Sequence, residues 1–177
     1  MLFRSIIRRL LDAGVAGINI EDGQAAPAEL AAKIEAIKNV AAAAGSDIFV
    51  NARTDVFLAG LVDASKRVDE TLARGATYRD AGADGLFVPG ICDATQIAGV
   101  VQGIGLPLNV MAWPGLAASD ALSKLGVRRL SAGSGISQML WGQAEKLAKD
   151  FLEHGRSETM AEGAMSYAQL QALFAEK

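Results

Sequence analysis

The chain has 177 residues, 51% of them hydrophobic and 21% charged, with 19 glycines and a formal net charge of −3. That apolar content excludes a disordered chain, and the length suits one domain with a real core. The lack of a basic tract argues against nucleic-acid binding, and no apolar run approaches the ~18 residues that span a bilayer. A single cysteine, Cys92, excludes a disulfide framework and a multi-cysteine metal site. A single histidine, His154, excludes a two-histidine one.

Phe3, Ile6, Ile7, Leu10 and Leu11 recur at helical spacing, so the first helix is predicted over about 2–13, closing at Gly14. Arginines interrupt this segment, which does not suit a cleavable signal, and the cytoplasm is the default location. Val15–Ile20 reads as a buried strand ending at Glu21-Asp22-Gly23. Pro27 opens a helix to Ala44, stopped by Gly45. Asp47–Ala52 is the second strand, ending in Arg53-Thr54-Asp55. A helix over about Val62–Ala81 is expected to break or loosen around Gly75. Asp84–Val88 is the third strand. Asp93 is placed to cap a helix to about Gln102. Pro107–Met111 is the fourth strand, a short helix covers about 116–124, and Val127–Ser131 is the fifth strand. Ala132-Gly133-Ser134-Gly135 turns into a long helix over about 136–153, and a last helix covers about 166–175.

Strands alternating with helices imply parallel strands joined by right-handed crossovers. Five of them suit either an open doubly wound sheet or part of an eight-stranded barrel, whose full length is typically ~250 residues. In both, ligands bind at the carboxyl ends of the strands. This chain puts its polar residues there: Glu21 and Asp22 after the first strand, and Asn51, Arg53 and Asp55 at the second. Asn109 lies in the fourth strand and Ser131 closes the fifth.

Each has two readings. Glu21-Asp22 is either a pair for a divalent cation or a turn cap. Arg53 is either a fork for a carboxylate or phosphonate, or a structural partner of Asp55. Asn51 and Asn109 either bind the same ligand oxygens or satisfy backbone. The backbone N–H groups of Ser131–Gly135 are placed to hold an anion, or the glycines serve tight packing. Cys92 reads as a small buried thiol, His154 as a cap at a helix C-terminus, Trp113 as a pocket wall and Trp141 as core or interface.

Several segments resemble the isocitrate lyase/phosphoenolpyruvate mutase superfamily. Ala13–Gly23, with Ile20-Glu21-Asp22, resembles its fourth strand. Val50-Asn51-Ala52-Arg53-Thr54-Asp55 resembles its fifth, Pro107–Ala112 with Pro114-Gly115 its seventh, and Leu125–Ser131 its eighth. Glu158–Phe174 is similar to its terminal segment.

The resemblance implies a (β/α)8 TIM-type barrel, here one partial domain over 1–177 with about five βα units and terminal helices. The segment at about 156–177 is one that the family exchanges between subunits of a homo-oligomer. It also implies a lyase or mutase that acts on C–C or P–C bonds of small 2-oxo or hydroxy acids through an enolate. The cofactor would be Mg2+, with Mn2+ as substitute. Glu21 and Asp22 would be the metal residues, Arg53 and Glu21 the catalytic ones, and Asn51, Arg53, Asn109 and Ser131 would bind a small carboxylate or phosphonate.

Two departures qualify this. The family's first three strands, with its closest metal-binding aspartates, have no counterpart in this sequence. The Cys-Gly-His loop of isocitrate lyases is replaced by Gly23-Gln24-Ala25-Ala26-Pro27, which disfavours isocitrate lyase activity. The alternative is therefore a shortened, non-catalytic barrel stabilised by oligomerisation. A phosphate-handling enzyme built on Ser131–Gly135 ranks last, because no lysine lies nearby.

Overall fold

Alternation along the strands sorts the residues of this chain onto two faces of one sheet. The computed structural model describes residues 2–175. Its strands are β1 (Gly17–Glu21), β2 (Phe49–Arg53), β3 (Gly85–Val88), β4 (Leu108–Met111) and β5 (Arg129–Ser131). Every pairing is parallel, and the order in space, β1-β2-β3-β4-β5, is the order in the chain. A doubly wound sheet reverses its order at a switch point. This one keeps a single direction, as the wall of a barrel does. The five expected βα units are present as a run of barrel wall, with β1 and β5 at its edges.

One face is apolar. Val50, Ala52, Leu86, Val88, Leu108 and Val110 are buried against the helices. Those helices are α1 (Leu2–Asp12), α2 (Pro27–Ala43), α3 (Arg67–Asp80), α4 (Ala94–Ile104) and α5 (Ser119–Lys124). Each long one presents a stripe at helical spacing: Leu30, Ile34, Ile37 and Ala41 on α2, and Ile97, Val100 and Ile104 on α4. Pro27 starts α2 as expected. The Asp93 carboxylate accepts from the Gln96 N–H at 2.9 Å and starts α4, which runs on to Ile104. At the amino ends of the strands, Asp84 accepts from Lys38 Nζ at 2.6 Å and from the Val50 N–H at 2.7 Å. It thereby ties α2 to β2.

The helix expected to loosen at Gly75 does not. α3 is continuous from Arg67 after a 3-10 turn at Ala64–Lys66. Gly75 is there for packing: a Cβ would lie 3.0 Å from Leu86 Cδ2 and closer still to Ile104 Cδ1. Gly90 follows β3 at φ +85°, where a Cβ would sit 3.1 Å from the backbone N and Cα of Leu58. Both the torsion and the contact penalise a side chain. Gly90→Ala should therefore cost about 1–3 kcal/mol, read as a lower urea midpoint with an unchanged slope.

Contacts divide the chain into two units after Ala132. The second unit holds α6 (Gly135–His154), α7 (Glu158–Ala161) and α8 (Tyr167–Ala172). α7 is a single turn that the sequence reading omitted. α8 opens with a capping box between Ser166 and Gln169. α6 buries none of its residues, and Trp141 on it is exposed, not core. His154 ends α6 with Nδ1 3.2 Å from the Asp150 carboxylate. Among the described residues no helix is long and apolar enough to cross a membrane.

Candidate functional site

The second face of the sheet is polar, and its carboxyl end gathers the site. The register sets Glu21 beside Arg53 and Arg53 beside Phe87. Arg53 donates from Nε to Asp55 Oδ1 at 2.7 Å and from Nη2 to Asp55 Oδ2 at 3.2 Å. Its Nη1 lies 3.1 Å from Glu21 Oε2. The guanidinium also sits 5.7 Å from the centre of the Phe87 ring. The hydrogen bond to Asp55 raises the Arg53 pKa above its ordinary value. Burial opposes this, and the charges of Asp55 and Glu21 add to it. The fork is thus fixed as a cation, with one N–H on each terminal nitrogen left over for a ligand. Asn19, Ile20, Glu21, Arg53 and Phe87 line a concavity of about 360 Å³ at this point. The structural reading of the Arg53–Asp55 pair and the ligand reading of Arg53 are therefore compatible: Asp55 aims the fork.

Asp22 is placed differently from Glu21. Its side chain is fully buried. Oδ2 accepts from Tyr78 OH at 2.5 Å, Thr54 Oγ1 at 2.8 Å and Arg74 Nη1 at 3.0 Å, and Oδ1 accepts from the Asp55 N–H at 3.0 Å. Four donors occupy this carboxylate, and it joins the exits of β1 and β2 to α3. Arg74 also donates to Glu70 Oε1 at 2.7 Å and to the Ala25 carbonyl at 3.2 Å. Burial alone would lower the Arg74 pKa, but the bonds to Glu70 and Asp22 outweigh it and raise it.

Burial, and then the bond to Asp22, push the Tyr78 phenol well above its usual range. A raised folded-state pKa means that the native protein holds a proton the unfolded chain gives up. The stability this contributes is complete below about pH 10 and is lost as pH rises beyond it. Wild type should lose stability steeply above about pH 10, and Tyr78→Phe should lose that part of the slope. Chemical denaturation from pH 8 to 11 checks it.

Deeper on the same face, Asn51 and Asn109 are buried. Asn51 Nδ2 donates to Asn19 Oδ1 at 2.8 Å and to Asn109 Oδ1 at 3.0 Å. Asn109 Nδ2 reaches the Val110 carbonyl at 2.7 Å, Ser131 Oγ at 3.0 Å and the Arg129 carbonyl at 3.2 Å. A ladder of side chains therefore crosses from β1 to β5. Asn51 and Asn109 spend their amides on it and on backbone, and Ser131 closes its far end. β3 lies between the two asparagines but carries Gly85 there. A Cβ at this position would sit 2.9 Å from Asn51 Oδ1.

Cys92 is half-buried, its Sγ 4.0 Å from the Pro114 carbonyl, and burial pushes its thiol pKa up. Trp113 is half-exposed and is not among the residues lining the concavity. Sequence reasoning missed Asn19, Phe87, Arg74 and Tyr78. Asn19 was accessible to it, because a residue two before Glu21 on a strand shares its face. Among the described residues no group of three or more His, Cys, Asp or Glu could hold a metal ion. Glu21 is the carboxylate that lines the concavity, so this donor set alone does not fit a Mg2+ centre.

A parallel wall in chain order, with an arginine held at its carboxyl end, is the wall of a (β/α) barrel. The sequence profile of phosphoenolpyruvate phosphomutase matches residues 2–152, and the chain belongs to that family. An uncharacterized protein of Mycobacterium tuberculosis H37Rv is 44% identical over 124 residues, covering 67% of this chain and 45% of its own. An oxaloacetate decarboxylase of Pseudomonas entomophila is 32% identical over 133 residues, covering 72% of this chain and 45% of its own. The chain thus spans just under half the length of these relatives.

Among solved structures, one assigned as a lyase/mutase from Burkholderia cenocepacia J2315 superposes with TM-score 0.85 and 32% identity. It covers 98% of this chain and 64% of its own. A phosphonopyruvate hydrolase solved with oxalate and Mg2+ shares the fold, with TM-score 0.73, 22% identity, and coverage of 97% of this chain and 62% of its own.

Proposed function

We propose that this chain carries the substrate-clamping part of a Mg2+-dependent lyase or mutase that acts on C–C or P–C bonds of small 2-oxo or hydroxy acids. The observation that carries this is the Glu21–Arg53–Asp55 row beside Phe87. A guanidinium held in place by one carboxylate keeps two N–H groups for a substrate carboxylate, in a concavity sized for a small acid. In the reaction, Arg53 binds and orients that carboxylate. Asp55 keeps the fork from turning, and Phe87 shields one side of it from water. Mg2+, if further donors completed its site, would supply stabilisation of negative charge on a ligand oxygen. Glu21 is the residue this chain would offer to the ion. The relatives support the substrate class: one is an oxaloacetate decarboxylase, and a neighbour of the same fold was solved with oxalate.

The charges at the site support a need for a cation. Glu21 and Asp55 outnumber Arg53, so a bare dianion is repelled. Calorimetric titration tests the reading. Mg2+ alone should bind no tighter than about millimolar, oxalate should bind measurably only in its presence, and Arg53→Ala should abolish the oxalate signal. Uptake unchanged by Arg53→Ala would sink the proposal, as would no uptake at all by folded protein. The second of these results favours the non-catalytic alternative.

A further inference from the structure

We propose that Asn19 meets an anionic ligand oxygen with its amide N–H beside Arg53, and that Asn109, acting through Asn51, sets that polarity. The inference deepens the functional reading above and rests on it.

An asparagine amide has a donor end and an acceptor end, and its neighbours decide which way it lies. Here the decision starts on β5. One end of the Asn109 amide lies 2.7 Å from the Val110 carbonyl and 3.2 Å from the Arg129 carbonyl. Carbonyl oxygens only accept, so that end is the NH2. The other end, Oδ1, accepts from Ser131 Oγ at 3.2 Å and faces Asn51 at 3.0 Å, where a second oxygen would be repelled. The near atom of Asn51 is therefore its Nδ2. The same Nδ2 lies 2.8 Å from the Asn19 amide, whose near atom must accept. Asn19 Oδ1 is thereby committed, and its NH2 is the end left for the concavity it lines with Glu21, Arg53 and Phe87.

The relay is stiff. Asn51 and Asn109 are buried, so a reversed amide would place N–H against N–H, or oxygen against carbonyl, without water to relieve it. The relay also depends on a gap. Asn51 reaches Asn109 across β3 because Gly85 leaves the space that a side chain would fill. The chemical consequence is selectivity for a ligand oxygen that accepts, such as a carboxylate or enolate oxygen, over a group that donates.

The test uses the full chain labelled with 15N at asparagine and arginine, titrated with oxalate in Mg2+ up to several millimolar. The Arg53 Nε–H resonance reports whether the ligand arrives, and the Asn19 NH2 resonances report the inference. Movement of both supports it. Movement of Arg53 without Asn19 overturns the inference and leaves the functional reading standing. Movement of neither overturns both. Two variants at exposed Asn19 add a readout that a structural role would not move. Asn19→Ala should weaken oxalate about tenfold, the loss of one charge-assisted hydrogen bond. Asn19→Asp should weaken it further, because a charged oxygen then faces the ligand. Equal affinity of the two variants counts against the proposal. Asn51→Ser should shrink the Asn19 response while keeping that of Arg53. If that variant does not fold, the Ala and Asp pair at position 19 decides.

Discussion

Replacing Asp22 by alanine should destabilise the strand-bearing unit by about 3–5 kcal/mol, the usual cost of removing one partner from a buried ion pair. The reason is the number of groups it satisfies. Without the carboxylate, Arg74 keeps a buried charge, and Tyr78, Thr54 and the Asp55 N–H each lose an acceptor. Asp22→Asn should cost less, because its remaining oxygen can still accept from some of the four. Urea denaturation followed by circular dichroism, without added metal, measures both. A carboxylate kept for a cation gives the opposite result, since removing it relieves charge in the metal-free protein. A loss below about 1 kcal/mol would therefore return Asp22 to the metal-binding role that the sequence suggested.

Arg53 should show the largest effect on binding. Arg53→Ala removes the cation that a substrate carboxylate meets and leaves Glu21 and Asp55 facing it. The expected loss is about 3 kcal/mol, roughly a hundredfold in oxalate affinity. Arg53→Lys separates charge from shape. Lysine restores the positive charge but cannot hold Asp55 and a ligand at once, as the fork does through different nitrogens. It should recover only a minor part of the affinity. If lysine binds oxalate as well as arginine does, a point charge suffices and the Asp55 pair is purely structural.

The strand pattern was legible because parallel strands buried on one face read as short apolar runs ending in glycine or charge. Glu21 and Arg53 were legible too, as polar residues at strand ends. Asp22 was not. Its donors just after β2 and on α3 stand 32 to 56 residues along the chain, and nothing local distinguishes a carboxylate they will surround from one left free. The contact between Asn51 and Asn109 was hidden for the same reason: only the register reveals that Gly85 stands beside Asn51 and Phe87 beside Asn109, so that the two amides meet diagonally across β3. Gly75 misled in the opposite way. Helix propensity marks glycine as a weak point, but the packing of α3 against Leu86 and Ile104 calls for the smallest residue there.

The strand order also bears on how the wall is built. Each strand pairs with the one synthesised just before it, so no strand has to be inserted between two that are already joined. Growth can follow translation, one βα unit at a time, with the last completed strand serving as the template for the next. Loop closure is then confined to a single crossover at every step, which keeps the entropic cost of each addition nearly constant. A doubly wound sheet of the same composition has no such luxury, because its strands return to the opposite edge partway through synthesis.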